Sequence, residues 1–531
     1  MSYLLDEING FKLIPLNAQT KKDLLREFGS KFQGTGAFDN LLNYVMYKRK
    51  GKTVLIEEKY IDKDFRSEFS GLYSKTFKKF DSTCTRLHFF ESNINKINDI
   101  KNITDIDKES YLGFTVVRPI DVGKVGRTII KPWIQDINRS YPLCKCDTSI
   151  HLFGIDFRTC GSPFIQQDTM VMTCAQASIW MAARYMHLKF GFKEYLPFEI
   201  NEEASRFFRL QRTLPSEGLM FYSMFNALDN MGYSPICFTK DDGEDGKWNP
   251  VESIYKYIES CIPVIATSPD HAFVIIGHTF SPKRKFKIKQ DPNDLNIVSS
   301  HNWVDAFIIH DDQLGPYRLL PVSKKDKNQL IKNGFGEFLP PPDWSYGTVD
   351  DIDGILVPLP AKAYILGEHL DDIINNLFDP KNLFIPKLVE VAEKEKVAPL
   401  MIDFLNSLFF DKNNPIVLRS YLSYSTEYKK NLKNELLATE MNEVVVEEYI
   451  KLPMPKYIWI IEIANAKTFS MDEQKNRKIF GEVIIDATAN KFSLSFLAFH
   501  LPGALFLHDI DNNKIKVLSI ADDKEYRHVT R

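Results

Sequence analysis

The chain has 531 residues, a formal net charge of −3 from 67 Lys and Arg against 70 Asp and Glu, and a composition of 44% hydrophobic and 26% charged residues. These proportions are those of an ordinary globular protein, which excludes a disordered or fibrous chain, and the length suggests about three domains. The near-neutral charge argues against a protein whose main role is to bind nucleic acid, because neutralising phosphates requires a basic excess.

Several features predict a soluble protein of the cytoplasm. Asp6 and Glu7 occupy the place where a signal peptide has a basic start and an apolar run. The most apolar stretches, Tyr457–Ala464 and Leu494–Leu507, are too short or too interrupted to cross a membrane. The seven cysteines are odd in number and scattered, which is typical of reduced thiols.

Residues 1–142 are predicted to form an α+β module. Thr53–Glu57 is a β-branched run, and Tyr111–Val117 and Arg127–Lys131 have the composition of strands. In Phe65–Phe80, aromatic residues recur at helical intervals with Lys and Arg between them. This spacing favours a core-facing amphipathic helix over a basic nucleic-acid-binding stripe.

The central region, residues 143–360, contains a cysteine at the predicted start of a helix. Thr173 is a good N-cap residue, and apolar residues recur at helical spacing after Cys174, namely Ala175, Ile179, Ala182, Ala183 and Met186. A thiol in the first turn faces unpaired backbone N–H groups and the positive end of the helix dipole, which favour the reactive thiolate. The alternative is that Cys174 is a small buried core residue, as most cysteines are.

A histidine opens a strand further along the same region. Residues 262–277 are predicted to form two strands joined by a Ser-Pro-Asp turn, with His271 at the start of the second. We expect this residue to lie at an accessible rim, where it would suit a general base. The alternative is an ordinary core or surface histidine.

An acidic pair ends the next predicted strand. The apolar run that begins at Ala306 leads to Asp311 and Asp312 and then to a Gly-Pro turn. A carboxylate at this point can accept a hydrogen bond from an imidazole, fix its tautomer and stabilise the imidazolium. Asp311 is the preferred residue and Asp312 the alternative. The competing interpretation is that both acids merely end a strand at a solvated turn.

Three consecutive prolines, Pro340–Pro342, mark the predicted end of the central region, and residues 361–531 are predicted to form a helical plus β module. Its predicted helices and strands are His369–Leu377, Ile385–Phe410, Val444–Tyr449, Ile458–Ile463, Gly481–Ile485 and Phe492–Phe499. A further possibility is that this module holds the activity. Its best polar candidates, Glu482, Asp486 and His500, lack a recognisable acid/base spacing.

Sequence motifs give no reason to expect a metal or a cofactor. There is no HExxH motif, and no GxGxxG opens a dinucleotide fold. Cys144 and Cys146 have no second close cysteine pair at zinc-site spacing.

The order of these central elements resembles the papain-like cysteine peptidases, and most closely the bacterial branch that includes the double-glycine leader peptidases. The resemblance covers about residues 164–320. Gln167 precedes Cys174 as the family's oxyanion glutamine does, although by seven residues where six is usual, so Gln166 is an alternative. The sequence CAQAS at Cys174 and the strand pair around His271 also fit. Asp311 resembles the acid of the family's Asp-Pro-x-x-Gly turn, and Asp312 stands where proline is usual.

The resemblance implies an α+β fold. In its papain-like central domain, the helix carrying Cys174 packs on an antiparallel sheet carrying His271 and Asp311, with α+β modules on either side. It also implies that His271 deprotonates Cys174 and that Asp311 orients His271. The Cys174 N–H and the Gln167 amide would hold the oxyanion.

The implied function is a cytoplasmic cysteine peptidase or isopeptidase that cleaves a protein or peptide through an acyl-thioester. Its flanking modules would bind the substrate or a partner protein, and neither nucleic acid nor a membrane is expected as a partner. Two alternatives stay open. One is transfer of the acyl group to an amine, as in a transglutaminase- or deamidase-like enzyme, and the other is a scaffold or binding protein whose peptidase-like core is inactive.

Overall fold

The computed structural model describes residues 3–29, 36–102, 108–133, 140–206, 216, 218–240, 248–284, 297–378, 414–438, 442–470, 477–490, 495–509, 514–520 and 526–527. Contacts divide the chain into two compact units. The first comprises Met1–Pro250, Cys261–Thr279 and Ala306–Leu359, and the second comprises Val251–Ser260, Phe280–Asp305 and Pro360–Arg531. The predicted modules 1–142, 143–360 and 361–531 stay a prediction, and the last predicted boundary lies one residue from a border between the units. Helices and sheets are both abundant, so the protein is α+β as expected.

The N-terminal part of the first unit is a six-stranded antiparallel sheet in which each strand pairs with the next in the chain. Its strands are β1 (Asp6–Ile8), β2 (Phe11–Pro15), β3 (Thr53–Tyr60), β4 (Cys84–Phe90), β5 (Tyr111–Val117) and β6 (Val125–Ile130). The α-helices described in this part are α1 (Ala18–Phe28), α2 (Ala37–Asn43), α3 (Lys63–Gly71) and α4 (Ile97–Lys101). The predicted strand at 111–117 is confirmed, and it is buried along its whole length.

The predicted helix over Phe65–Phe80 is wrong in its second half. The helix α3 ends at Gly71, and a short 3-10 turn follows at Tyr73–Lys75. Gly71 lies against the ring of Phe198, where a Cβ atom would stand 2.0 Å from a ring carbon, so this close approach requires glycine. Glycine is a poor helix former, and the helix ends here. Phe77 is consequently fully exposed and not core-facing.

The central part of the first unit is an antiparallel sheet with the order β10-β16-β11-β12-β14-β15, in which β7 pairs with the far end of β12. Its strands are β7 (Ser140–Pro142), β10 (Ile236–Thr239), β11 (Val264–Ser268), β12 (His271–Thr279), β14 (Ala306–Asp311), β15 (Gly315–Pro321) and β16 (Gly354–Val357). A separate hairpin joins β8 (Cys146–Leu152) and β9 (Ile155–Gly161). The two strands predicted over 262–277 are therefore confirmed as neighbours, β11 and β12.

The α-helices described in this central part are α5 (Cys174–Phe190), α6 (Pro197–Ala204), α7 (Phe221–Asn230) and α9 (Lys324–Lys332). The helix predicted to begin near Cys174 is confirmed as α5, and it packs against β12. It is buried from Ala175 to Met186 because its sequence is apolar on most sides. It ends at Gly191, whose left-handed backbone (φ 71°, ψ 25°) forms the C-cap.

The second unit contains a seven-stranded sheet with the order β13-β17-β18-β20-β21-β22-β23, which is antiparallel except for the parallel pair β13 and β17. Its strands are β13 (Ile297–Ser299), β17 (Ile416–Tyr424), β18 (Tyr457–Asn465), β20 (Gly481–Asp486), β21 (Phe496–Leu501), β22 (Ala504–Asp509) and β23 (Lys514–Ser519), with β19 (Lys478–Ile479) and β24 (Tyr526–Arg527) as a separate pair. Its helices are α8 (Pro250–Glu259), α10 (Gly367–Phe378), α11 (Ser425–Ala438), α12 (Glu443–Lys451) and α13 (Ala466–Phe469).

Most of the predicted C-terminal elements are confirmed within a few residues of their predicted bounds. The strands predicted at 458–463 and 481–485 are β18 and β20, and the helices predicted at 369–377 and 444–449 are α10 and α12. The predicted helix Ile385–Phe410 lies outside the described residues. Over the part of the chain that the structure describes, no helix is long and apolar enough to span a membrane.

Candidate active site

Cys174 is the first residue of α5, directly after the capping residue Thr173. Thr173 has the extended backbone of an N-cap (φ −99°, ψ −173°), and its N–H donates to Oε1 of Gln176 at 3.2 Å. The thiol is half-buried. It therefore remains reachable while lying at the positive end of the helix dipole.

The loop that leads to Cys174 is held by a buried carboxylate. One oxygen of Asp168 accepts hydrogen bonds from the N–H groups of residues 170–172 at 2.8–3.0 Å. The other oxygen accepts from the Tyr73 hydroxyl at 2.6 Å. Asp168 is 1% exposed, so these four donors replace the water that a buried carboxylate loses. Sequence reasoning missed this residue, whose only local signal is an acid followed by a turn.

A side chain from α6 holds the same loop from a second direction. Asn201 donates to the carbonyl of Val171 at 2.7 Å and accepts from Nε2 of Gln176 at 3.0 Å. Gln176 also donates to the Ser216 hydroxyl at 2.7 Å. Because Gln176 is in turn bonded to Thr173, this network fixes the backbone at the point where the thiol emerges.

His271 opens β12 as predicted, but the prediction of an accessible rim position is wrong, because the residue is only 6% exposed. The ring of Trp344 stands edge-on to the imidazole, with 5.9 Å between centroids. The ring of Tyr346 stacks on it at 6.1 Å, with 7° between the planes. Both aromatic residues follow Pro340–Pro342, the segment that the sequence predicted only as a domain end. A pattern of local spacing gives no signal that this segment returns to cover the histidine.

The imidazole of His271 is paired with a carboxylate and lies near the thiol. Its Nε2 is 2.9 Å from Oδ2 of Asp311, and Cys174 is close enough to the ring to contribute to its pKa. Burial lowers the pKa of His271, but the charge and hydrogen bond of Asp311, the hydrogen bond with Cys174 and the charge of Asp312 raise it well above its usual value. An imidazolium at this place can pair with a thiolate.

Asp311 uses the whole hydrogen-bonding capacity of its carboxylate. Besides His271, Oδ2 accepts from the Tyr346 hydroxyl at 2.5 Å, and Oδ1 accepts from the N–H groups of Gln313 and Leu314 at 2.8 Å each. Burial raises the pKa of Asp311, but His271 and these hydrogen bonds together lower it below its usual value. The side chain is fully buried, so the interpretation as a solvated turn is wrong.

Asp312 is also fully buried, but its carboxylate has a different environment. Oδ1 is 3.6 Å from Nε2 of His271, and among the described residues neither oxygen has a hydrogen-bond partner. Burial, with the neighbouring charge of Asp311, raises the pKa of Asp312 to about 7 against the opposing charge of His271. Of the two predicted acids, Asp311 is therefore the one that is hydrogen-bonded to the imidazole.

The two glutamines that precede the cysteine differ in what they contact. Oε1 of Gln166 accepts from the N–H of Val125 at 3.2 Å, and Arg118 donates to the Gln166 carbonyl at 2.6 Å, so the N-terminal sheet engages this residue. Gln167 is half-buried, and Gly123 (φ +68°) packs so closely against its carbonyl that a Cβ atom would stand 1.8 Å from the oxygen. Gln166 is thus bound to the N-terminal sheet, and the role of Gln167 in holding an oxyanion stays a prediction.

His271, Asp311 and Asp312 also present one nitrogen and two oxygen atoms within 4.8 Å of one another, a set that can hold a metal ion. The four acceptor positions of Asp311 are already occupied by donors. The 2.9 Å separation from His271 is that of a hydrogen bond. The arrangement therefore favours an imidazole–carboxylate pair over a cation site.

The polar candidates of the C-terminal region lie inside the second unit's sheet. Glu482 and His500 face each other on β20 and β21, and both are buried. Tyr428 donates to Glu482 at 2.5 Å, and burial raises the pKa of Glu482 to about 7. Asp486 accepts instead from its own turn, from the N–H of Thr488 at 2.7 Å. Glu482 and His500 therefore belong to the interior of the sheet, whereas Asp486 is half-buried at the end of β20.

Comparison of the chain with known proteins found no matching protein-family model, no matching curated protein and no matching solved structure. What the protein does must therefore be inferred from its own residues and their geometry.

Proposed function

We propose that the first unit is a papain-like cysteine peptidase or isopeptidase with Cys174 as nucleophile, His271 as general base and Asp311 as the residue that orients the imidazole. The observation that carries this proposal is the buried pair of His271 and Asp311, with 2.9 Å between Nε2 and Oδ2, near the half-buried thiol that begins α5. A helix N-terminus, an imidazole and an ionised carboxylate together supply what a thiol needs in order to attack a carbonyl.

In the proposed reaction, His271 takes the thiol proton and the Cys174 sulfur attacks the carbonyl carbon of the scissile amide. The Cys174 N–H and the Gln167 side-chain amide would donate to the resulting oxyanion. The imidazolium then protonates the leaving amine, the carbon–nitrogen bond breaks and an acyl-thioester remains. Water, deprotonated by His271, hydrolyses the thioester and regenerates the thiol.

The covering aromatic rings support this assignment of roles. Trp344 and Tyr346 shield the hydrogen bond between His271 and Asp311 from water, which strengthens it in a medium of lower polarity. The Tyr346 hydroxyl also holds Asp311 in place. An imidazole fixed in this way keeps one tautomer.

Two other functions remain as outcomes of the test. The same thioester passes to an amine in a transglutaminase-like enzyme, whose nucleophile and base would be the same residues. An inactive scaffold is less well supported, because a scaffold does not require a buried, hydrogen-bonded pair of His271 and Asp311 near a thiol at a helix start. All seven cysteines lie within the described residues and are reduced thiols, which supports a reducing compartment such as the cytoplasm.

The proposal predicts new amino groups in a cell lysate treated with the wild-type chain and none with Cys174→Ala, at new protein N-termini for a peptidase and at freed lysine side chains for an isopeptidase. Newly formed amino groups would be labelled and identified by mass spectrometry, with Cys237→Ala as the matched control because Cys237 is exposed and lies outside the site. Termini present only with wild type and Cys237→Ala support a peptidase. Incorporation of an added primary amine without new termini would instead indicate that the protein transfers the acyl group to amines. The absence of both reactions would contradict each enzymatic function and favour a scaffold.

A further inference from the structure

An open groove of about 600 Å³ runs between α3 and α6 in the first unit. Its apolar surface is formed by Ile61, Leu196 and Phe198, and Phe198 packs directly on Gly71 at the end of α3. Ile61 is 68% exposed, which is unusual for an isoleucine. The groove therefore offers apolar contact to something outside the first unit's own core.

Positive side chains dominate the rim of this groove. Lys63, Arg66 and Lys75 line it, with Glu199 as the one acid among its lining residues. Lys63 is paired with Glu194, whereas Arg66 and Lys75 are exposed and no ion pair joins either to a carboxylate among the described residues. Glu199 is itself occupied, since its carboxylate accepts from the N–H of Leu196 at 2.8 Å. The free charge on the rim is therefore positive.

The two walls of the groove are also the two elements that hold the loop before Cys174. Tyr73, in the turn that follows α3, donates to Asp168 at 2.6 Å. Asn201, in α6, donates to Val171 at 2.7 Å. A displacement of either wall would therefore move the backbone of the loop that positions the thiol.

We infer that the groove between α3 and α6 binds an acidic, partly apolar, extended segment of a protein substrate or partner, and that its occupation is transmitted to Cys174 through Tyr73 and Asn201. Carboxylates on the segment would meet Arg66 and Lys75, and an aliphatic or aromatic side chain would cover Ile61 and Phe198. A peptide suits this surface better than a nucleic acid, because the chain as a whole carries a net charge of −3. Only the transmission to Cys174 rests on the proposed function.

Binding can be tested with a fluorescein-labelled peptide of Glu-Glu-Phe repeats and the Cys174→Ala chain, which binds without cleaving. Fluorescence anisotropy is expected to show saturable binding that weakens about tenfold or more in Arg66→Glu/Lys75→Glu. The matched control is Lys324→Glu/Lys325→Glu, which makes the same charge change at two exposed lysines of α9 and is expected to bind as the parent does.

Three results would overturn the binding site. They are no saturable binding, equal binding by the Arg66→Glu/Lys75→Glu chain, and equal weakening in the α9 control. Tighter binding of a single-stranded RNA probe that competes with the peptide would also overturn it in favour of a nucleic acid. None of these results depends on the chemistry of Cys174.

Transmission to the site has its own readout in the chain with an intact thiol. The peptide is expected to change the alkylation rate of Cys174 by iodoacetamide, and Tyr73→Phe is expected to reduce that change while the peptide still binds. A rate at Cys174 that the bound peptide leaves unchanged would overturn the transmission but not the binding site. An unreactive Cys174 in both states would instead contradict the proposed function.

Discussion

At the scale of single residues, the His271 imidazole lies beside two buried carboxylates whose pKa values are shifted in opposite directions. Asp311 has four hydrogen-bond donors and a lowered pKa, so it is a fixed negative charge. Asp312 has no donor among the described residues, and its pKa is raised to about 7. One acid therefore orients the ring, and the other changes its charge near neutral pH.

Asp312→Asn is expected to remove a pH-dependent step from the reactivity of Cys174. As the pH rises through about 7, Asp312 gains a charge 3.6 Å from Nε2 that stabilises the imidazolium and, with it, the thiolate. The substitution leaves Asp311 and the neighbouring Arg318 in place. The measurement is the initial alkylation rate of Cys174 across pH, followed by mass spectrometry.

Wild type should show a severalfold rise in this rate near pH 7 that Asp312→Asn lacks. Asp229→Asn, at an exposed position of α7, serves as the control and should keep the rise. A step that persists unchanged in Asp312→Asn would mean that another group titrates.

At the scale of secondary-structure elements, what the sequence could predict at the site depended on local signals. The start of α5 follows from Thr173 and the apolar repeat after Cys174, and β12 follows from a turn and an apolar run. Each is decided within about a dozen residues of chain. The hydrogen bond between His271 and Asp311 spans 40 residues, yet both sit at strand ends, and antiparallel pairing of β12 with β14 brings these ends together.

The residues that the sequence did not predict reach the site through tertiary contacts. Trp344 and Tyr346 come from an irregular segment, and Tyr73 comes from the N-terminal part of the unit. The burial of Asp312 also depends on this packing, and for that reason the acidic pair resembled a solvated turn. The end of α3 at Gly71 was also not predictable from local sequence, because the residue whose contact requires glycine, Phe198, lies far away in the chain.

In the second unit, the sheet contains a row of ionisable residues inside its core. Arg419, Glu462, Glu482 and His500 are direct neighbours on β17, β18, β20 and β21. Arg419 forms an ion pair with Glu462 at 2.8 Å, and Tyr428 donates to Glu482 at 2.5 Å. Burial raises the pKa of Glu482 from 4.5 to about 7, so Glu482 retains its proton in the folded state at pH values where an exposed glutamate is ionised.

Glu482→Gln is expected to remove part of the pH dependence of the second unit's stability. The folded pKa of Glu482 lies above its unfolded value, so its contribution is fully present below about pH 4.5 and is lost as the pH rises to about 7. The shift corresponds to about 3 kcal/mol in the free energy of unfolding. Denaturant unfolding at about pH 5 and pH 8 would measure it.

Wild type should lose stability between these two pH values by more than Glu482→Gln does, and glutamine should keep the acceptor for Tyr428. Glu447→Gln, at a solvent-exposed ion pair of α12, is the matched control and should behave as wild type. Equal losses in wild type and Glu482→Gln would show that Glu482 does not set this dependence.

At the scale of the whole molecule, the seven cysteines provide an internal comparison for the reactivity of one. Burial raises the pKa of four of them, Cys84, Cys144, Cys146 and Cys160, which disfavours their thiolates. Cys237 is exposed and Cys261 half-buried, and neither lies at the start of a helix. Cys174 alone combines a helix N-terminus with a position near an imidazole.

The most direct test of the central claim is therefore the order in which iodoacetamide labels these seven thiols at neutral pH. We expect Cys174 to react first, at least about tenfold faster than the exposed Cys237, and to lose this advantage in His271→Ala and most of it in Asp311→Asn. The rate at Cys237 should be the same in all three chains. Labelling of Cys237 as fast as Cys174 in wild type, or a rate at Cys174 unchanged by His271→Ala, would contradict an activated nucleophile at this site.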